Sequence, residues 1–287
     1  MGVVVDFAWT KPTVDQLKQW GAVAVGMYLS HDPAKNATPQ LVDEYAQAGI
    51  KTILFFEDAA TRATQGYAAG KADASLAAAE AAKLGKPAWA PILPGVDFDI
   101  PDYAPHQASP AAKLGPVADY FKGWADTLGG VSEVGGYGGY WAISRLSACH
   151  LITAGVQTVA WSGGKADTRD IACLQTATQL DNGNVDVELI EQANMLARIA
   201  WIPGEPNPGA HTPPEHPADA PWVAKGQMSL KALAHGPLRS DTATVLYTTV
   251  KHTGMSADLA AYVNGGDLAV ARLKAGTVLW YPKMVPA

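Results

Sequence analysis

The chain has 287 residues, 48% hydrophobic and 17% charged, which excludes global disorder and allows one large domain or a domain with a small appendage. A net charge of −6 and a pI near 5.6 argue against nucleic acid, whose phosphates need a basic face, and give no electrostatic reason to sit on an anionic membrane. The two cysteines, Cys149 and Cys173, lie in apolar stretches and read as buried thiols, not a disulfide framework.

The opening Met1 to Asp6 has no basic residue and is interrupted by an acid, so no secretory signal is expected; no apolar run reaches membrane-spanning length. Val3 to Trp9 reads as a strand, and Thr13 to Trp20 as a helix with Thr13 as its cap. Ala22 to Leu29 is a second strand, followed by a helix from Thr38 to Ala48 that stops at Gly49. Lys51 to Asp58 is a third strand, and the Ala-rich Arg62 to Leu84 a long helix closed by Gly85. A fourth strand is expected over Trp89 to Asp99, with its start blurred by Pro91 and Pro94.

Ala111 to Leu128 reads as one helix, ended by Gly129-Gly130. Strand five spans Val134 to Trp141, and a helix runs from Ser144 to Thr153. Strands six, seven and eight are expected at Gln157 to Trp161, Ile171 to Ala177 and Val185 to Leu189, with a last helix through Trp201. The helix between strands six and seven is missing or very short. Eight β signals alternating with helices suggest parallel strands joined by crossovers, hence an α/β fold: a TIM-like (β/α)8 barrel over residues 1–202, with an open doubly wound sheet as the competitor. Seven prolines between Pro203 and Pro221 mark residues 203–221 as a linker. Residues 222–287 read as a small α+β domain, β-like at Ala243 to Val250 and Thr277 to Tyr281 and helical at Ser256 to Val263.

In a parallel α/β protein, functional groups gather at the C-terminal ends of the strands. Those ends carry Asp6 and Trp9, then Glu57-Asp58, then Asp97-Phe98-Asp99, then Tyr137 and Tyr140-Trp141, then Trp161-Ser162. Strand seven holds Gln175, and strand eight holds Asp186 and Glu188. Alternation along a strand puts Asp97 with Asp99, and Asp186 with Glu188, on shared faces. Carboxyl groups crowded at one rim raise at least one pKa, which keeps a general acid protonated near neutrality. Glycosidic cleavage needs such a split pair, and Tyr and Trp supply flat faces for sugar rings. Each residue also has a structural alternative. Asp6, Asp97 and Asp99 suit caps or ion pairs, Tyr137 fills a barrel, Trp161 and Gln175 pack and clamp backbone, and Asp186 and Glu188 flank a loop.

No cofactor or metal is expected. The histidines at 31, 106, 150, 211, 216, 235 and 252 show no ligand spacing near the strand ends. No phosphate-binding glycine loop follows the first strand, and Ser162 lacks a Gly-x-Ser-x-Gly frame.

Several ordered motifs carry a resemblance: Val4-Val5-Asp6-Phe7-Ala8-Trp9, Gly95-Val96-Asp97-Phe98-Asp99, Gly135-Gly136-Tyr137-Gly138-Gly139-Tyr140, Ala160-Trp161-Ser162, Cys173-Leu174-Gln175 and Val185-Asp186-Val187-Glu188. Over residues 3 to 195 the chain resembles the glycoside-hydrolase-like barrels of the domain of unknown function 1906, which are related to GH25 lysozymes. The resemblance implies a TIM-like barrel acting on peptidoglycan. GH25 lysozymes carry Asp-x-Glu on the fourth strand, with the Glu as proton donor, where this chain has Asp97-Phe98-Asp99. It thus implies Asp99 as the acid and Asp97 or Asp6 as the second carboxylate, with Glu57, Tyr137, Trp161, Gln175, Asp186 and Glu188 binding substrate. Such barrels occur in actinobacterial secreted proteins and in phages of those bacteria. With no signal segment expected, a phage endolysin or tail-associated lysin, virion-borne or released at the host wall, is the favoured setting. The tail segment resembles a LysM-like wall-binding module in Leu259 to Asn264 and Leu273 to Leu279. The rival reading is a non-catalytic glycan-binding or structural minor tail protein, with other virion tail proteins as partners; the shorter Asp99 keeps it open.

Overall fold

In a computed structural model of the chain, residues 2–167, 169–208, 228–229 and 278–279 are described. The chain divides into two compact units, Met1–Asn207 and Pro208–Ala287. Of the second unit, the described part is an antiparallel pair of short strands, Met228–Ser229 and Val278–Leu279. The elements expected at 243–250 and 256–263 lie outside the described residues, as does the LysM-like stretch apart from Val278 and Leu279. The first residues of the expected linker belong to the first unit: the Glu205 carboxylate pairs with Lys51 and its carbonyl accepts Trp89 Nε1 at 3.1 Å.

Eight strands close into a barrel in chain order: β1 (Val3–Asp6), β2 (Ala22–Leu29), β3 (Lys51–Phe56), β4 (Ile92–Val96), β5 (Gly136–Gly138), β6 (Gly155–Thr158), β7 (Ile171–Leu180) and β8 (Val185–Ile190). β1 to β7 pair in parallel. β8 runs antiparallel to both β7 and β1, unlike the parallel eighth strand expected from the alternation. The reason is the turn. Asp181, Asn182 and Gly183 take left-handed φ values of 49°, 57° and 89°, so β7 doubles straight back as a hairpin without a crossover.

The helices are α1 (Val14–Trp20), α2 (Pro39–Gln47), α3 (Gly66–Lys83), α4 (Pro110–Leu114), α5 (Pro116–Leu128), α6 (Tyr140–Ala148) and α7 (Ala193–Ile199). Thr13 starts α1 with a capping box: its hydroxyl accepts Gln16 N at 3.3 Å while its own N–H donates to Gln16 Oε1 at 2.9 Å. The single helix expected over Ala111 to Leu128 is broken at Gly115-Pro116, since proline cannot continue the hydrogen-bond ladder. β5 ends at Gly138, and α6 begins at Tyr140 instead of Ser144. Among the described residues, no helix separates β6 from β7. Buried Gln157 organises that loop, its amide nitrogen donating to the Lys165 carbonyl at 2.8 Å and its oxygen accepting Asp167 N at 2.8 Å.

Strand alternation sorts the apolar residues into two layers. Val5, Val25, Met27, Leu54 and Phe56 pack outward with the helices. Val4, Ala24, Ile53, Phe55, Leu93 and Val156 fill the barrel. The chain after β8 docks on Ala172, near the start of β7, while Trp201 pairs with Thr52 near the start of β3. α7 therefore crosses the N-terminal end of the barrel, and its Ile199 joins the interior cluster. With that end closed, the C-terminal mouth is where a ligand can reach the interior. Beside it, fully buried Asp73 of α3 accepts Arg62 Nε at 2.8 Å, Arg62 Nη2 at 2.6 Å and the Tyr120 hydroxyl at 2.9 Å, tying α3 to α5.

Candidate active site at the C-terminal mouth

Asp6 ends β1 pointing into the barrel and is buried. Its space comes from Gly26 of β2, where a Cβ would stand 2.6 Å from the Asp6 Cβ and 2.4 Å from the Phe55 ring. Each carboxyl oxygen has a donor: Tyr28 Oη gives a hydrogen bond to Oδ1 at 2.6 Å and Gln175 Nε2 one to Oδ2 at 2.9 Å. Gln175 is itself aimed, because its Oε1 accepts the Tyr137 hydroxyl at 2.7 Å. Burial keeps both phenols in the O–H form that donates.

Burial lifts the Asp6 pKa to about 6 against the pull of the Tyr28 hydrogen bond, and the charge of Asp186 adds to the rise. Register explains the neighbours. Because β8 is antiparallel, Asp186 lies opposite Asp6 at the rim, while Glu188 lies opposite Val4, one layer deeper. Glu188 has no exposure, and neither of its oxygens receives a hydrogen bond from an amide, hydroxyl or ammonium donor. Burial, then the adjoining Asp6, drive its pKa well above the carboxylate range; as the acid it donates to Asp6. Asp186 is half-buried and accepts Gln179 Nε2 of the hairpin at 2.9 Å.

The second half of the cluster follows β3 and β4. Glu57 pairs with Lys35 Nζ at 3.0 Å. Asp97 is half-buried just after β4, its pKa pushed up to about 6 by burial and by the Glu57 charge, with Lys35 pulling the other way. β4 ends at Val96, so the alternation expected to align Asp97 with Asp99 stops before either residue. Asp99 is exposed and joins none of these contacts. Asp6 and Asp97, by contrast, are near enough for their charges to interact.

A cleft of about 180 Å³ opens beside Asp6. The β1–α1 segment from Phe7 to Thr10 forms one wall; Gly183, Asn184 and Asp186 of the hairpin form the other. Trp9 is 63% exposed there and offers a flat apolar face. Tyr137, expected to stack sugars, is buried with its ring edge-on to Phe55 at 5.5 Å, so it serves Gln175 instead. Trp161 is half-buried in the β6–β7 loop with a left-handed φ of 54° and does not line this cleft.

Two residues of the mouth escaped the sequence reading, Tyr28 and Lys35. Tyr28 had a usable signal: it shares the inward parity of Ala24 and Gly26, and a phenol facing a barrel interior needs a partner. Lys35 had none, being one cation in the polar loop after β2.

A sequence profile described as the Rv2525c-like, glycoside hydrolase-like domain matches residues 15–194. No curated protein matches the sequence. Among solved structures, the Mycobacterium tuberculosis Tat-secreted protein Rv2525c, crystallised with L-tartrate, superposes with a TM-score of 0.58 at 19% identity, covering 67% of this chain and 97% of that one. A muramidase from Trichobolus zukalii gives 0.46 at 14% identity, over 68% of this chain and 97% of its own. A Streptococcus pneumoniae glycosyl hydrolase 25 gives 0.46 at 11%, over 66% and 86%. The first of these has the same fold, and the profile covers well over half of the chain. The chain belongs to the Rv2525c-like family of glycoside hydrolase-like domains.

Proposed function

We propose that the chain is a glycan hydrolase that cleaves the sugar backbone of peptidoglycan, with Asp97 as proton donor and Asp6 as the second carboxylate. The observation that carries this reading is the pair of mouth carboxyls, Asp6 and Asp97, both lifted to about 6 by burial while retaining different partners. A group with that pKa is partly protonated near neutrality and can protonate a leaving oxygen. Asp6 is held by two fixed donors, as suits a group that must stay in place against a developing positive charge. Trp9 would carry the sugar face, and Glu57 and Asp186 would receive its hydroxyls. The choice of peptidoglycan rests on the motif resemblance to barrels related to GH25 lysozymes. The phage setting, endolysin or tail module, finds no support among the neighbours named above.

The test is reducing-end release from purified actinobacterial peptidoglycan by the wild type, Asp97→Asn and Asp99→Asn. Asp97→Asn is expected to lose about 10²- to 10⁴-fold in rate, the usual worth of a general acid, with Asp99→Asn within about threefold of wild type. Full activity in Asp97→Asn would refute this assignment, and loss in Asp99→Asn would return the role to Asp99. One observation favours a second reading: Asp99, the second Asp of the Asp-x-Asp motif and the residue that the motif resemblance matches to the GH25 proton donor, is exposed and joins none of the contacts of the mouth. A glycan-recognition module would then pellet with walls and release no reducing ends.

A further inference from the structure

Lys35 is only 7% exposed, although it lies in a polar loop between β2 and α2. Burying an ammonium is unfavourable unless its protons are matched, and here every direction is filled. Nζ donates to the Glu57 carboxylate at 3.0 Å and to the Glu57 carbonyl at 3.2 Å, and stands 4.5 Å from the centre of the Tyr28 ring. The loop is built to hold it there. Ala37 N donates to the Tyr28 carbonyl at 2.9 Å, Ser30 N to Asn36 Oδ1 at 2.6 Å, and Lys35 N to the Asp32 carbonyl at 3.1 Å. So fixed a cation cannot follow a substrate, but it touches both halves of the carboxyl cluster. On one side are Glu57 and Asp97; on the other is Tyr28, whose hydroxyl holds Asp6.

We propose that Lys35 is the positioning residue of the mouth: a single buried ammonium pairs with Glu57 beside Asp97 and, across the face of Tyr28, fixes the phenol that orients Asp6. A cation on the ring face also draws electron density from the phenol and strengthens its O–H as a donor. The cluster thereby has one shared control point and two separate outputs, one through charge to Asp97 and one through a hydrogen bond to Asp6. The titratable groups facing this set are Asp6 from β1, Glu57 after β3, Asp97 after β4, Tyr137 from β5, and Asp186 and Glu188 from β8. The charge of Lys35 holds the Asp97 pKa down, so its removal has a defined direction. The inference rests on the glycosidase reading for its catalytic meaning, and its test is separate from activity.

The full chain labelled with carboxyl-¹³C aspartate and glutamate is titrated as wild type, Lys35→Met, Lys35→Arg and Tyr28→Phe. In Lys35→Met, the Asp97 midpoint is expected to rise by at least about one pH unit, the usual effect of losing a nearby opposite charge. Lys35→Arg, which keeps the charge, should recover at least half of that shift. An Asp97 midpoint unmoved in folded Lys35→Met overturns the proposal. If Lys35→Met does not fold, Tyr28→Phe decides: it keeps the ring beneath the ammonium and removes one donor, so the Asp6 midpoint should rise while that of Asp97 stays. Equal movement of both, or of neither, overturns it. The basic limb of the pH profile for reducing-end release, where a proton donor loses its proton, should move with Asp97. Shifted midpoints without any release support the positioning role and fail only the glycosidase reading.

Discussion

Glu188→Gln isolates the deepest group of the cluster. Glu188 is fully buried and its pKa stands well above the ordinary 4.5, chiefly through burial and next through Asp6. The folded chain therefore keeps a proton that the unfolded chain releases above about pH 4.5. Stability from this group is fully present below that pH and is lost as pH rises through the folded-state value, by about 1.4 kcal/mol per pH unit for one proton. Asp6, lifted from 3.8 to about 6, contributes the same sign over its own window, about 3 kcal/mol in all. The amide is neutral at every pH, nearly isosteric, and can donate to Asp6 in place of the carboxyl O–H. Wild type and variant are thus expected to lie within about 1 kcal/mol at pH 4. By pH 8 the variant should be the more stable by at least about 1.4 kcal/mol, one pH unit's worth of linkage. Urea unfolding followed by far-ultraviolet circular dichroism at constant ionic strength, from pH 4 to 8, reads the difference directly. A gap that stays constant with pH would show that Glu188 does not change its ionisation on folding and would refute the reasoning.

Three further outcomes are expected. Asp73→Ala strands the Arg62 guanidinium and the Tyr120 hydroxyl and should destabilise the barrel unit by about 3–5 kcal/mol; a loss below about 1 kcal/mol in denaturant unfolding would contradict the buried pairing. Gly70→Ala places a Cβ 2.1 Å from the Tyr120 carbonyl oxygen where α3 crosses α5, so it should destabilise by about 1–3 kcal/mol, although helix propensity alone predicts a gain of about 1 kcal/mol. A rise in thermal midpoint for that variant would count against the close crossing. Gln175→Leu removes a donor from Asp6 and the acceptor of Tyr137, so the Asp6 midpoint should climb above about 6 in a ¹³C titration; no movement would mean that the bridge does not hold the carboxylate.

The barrel was legible because its strands are short apolar runs set between capped helices; parity along β1 and β5 aims Asp6 and Tyr137 inward, and Glu57 and Asp97 follow directly on the ends of β3 and β4. Two errors share one cause, regularity carried past the end of an element. Alternation was extended through Asp99 although β4 stops at Val96, and the βα rhythm was extended through β8 although Asn182-Gly183 is a hairpin signal. Lys35 was beyond reach for a different reason. A lysine enters a barrel mouth only through the three-dimensional fold of its loop, and nothing in Asp32-Pro33-Ala34-Lys35-Asn36 distinguishes it from a solvated cation.

The reversal of β8 decides which carboxyl lies deep. In a parallel eighth strand, the chain would climb from Asp186 to Glu188, leaving the longer acid at the rim and the shorter one beneath Asp6. Running antiparallel, it descends: Asp186 meets water and the hairpin Gln179, and Glu188 is carried down beside Val4 and under Asp6. A carboxyl fully buried in that layer beside Asp6 holds its proton, because burial and the neighbouring charge both disfavour its ionised form. Asp6 then has two hydrogen-bond donors, from β2 and β7, with the buried acid of β8 adjoining it from the layer below. The hairpin that breaks the βα rhythm is therefore what seats the acid beneath Asp6, and the same turn supplies the far wall of the cleft through Gly183 and Asn184.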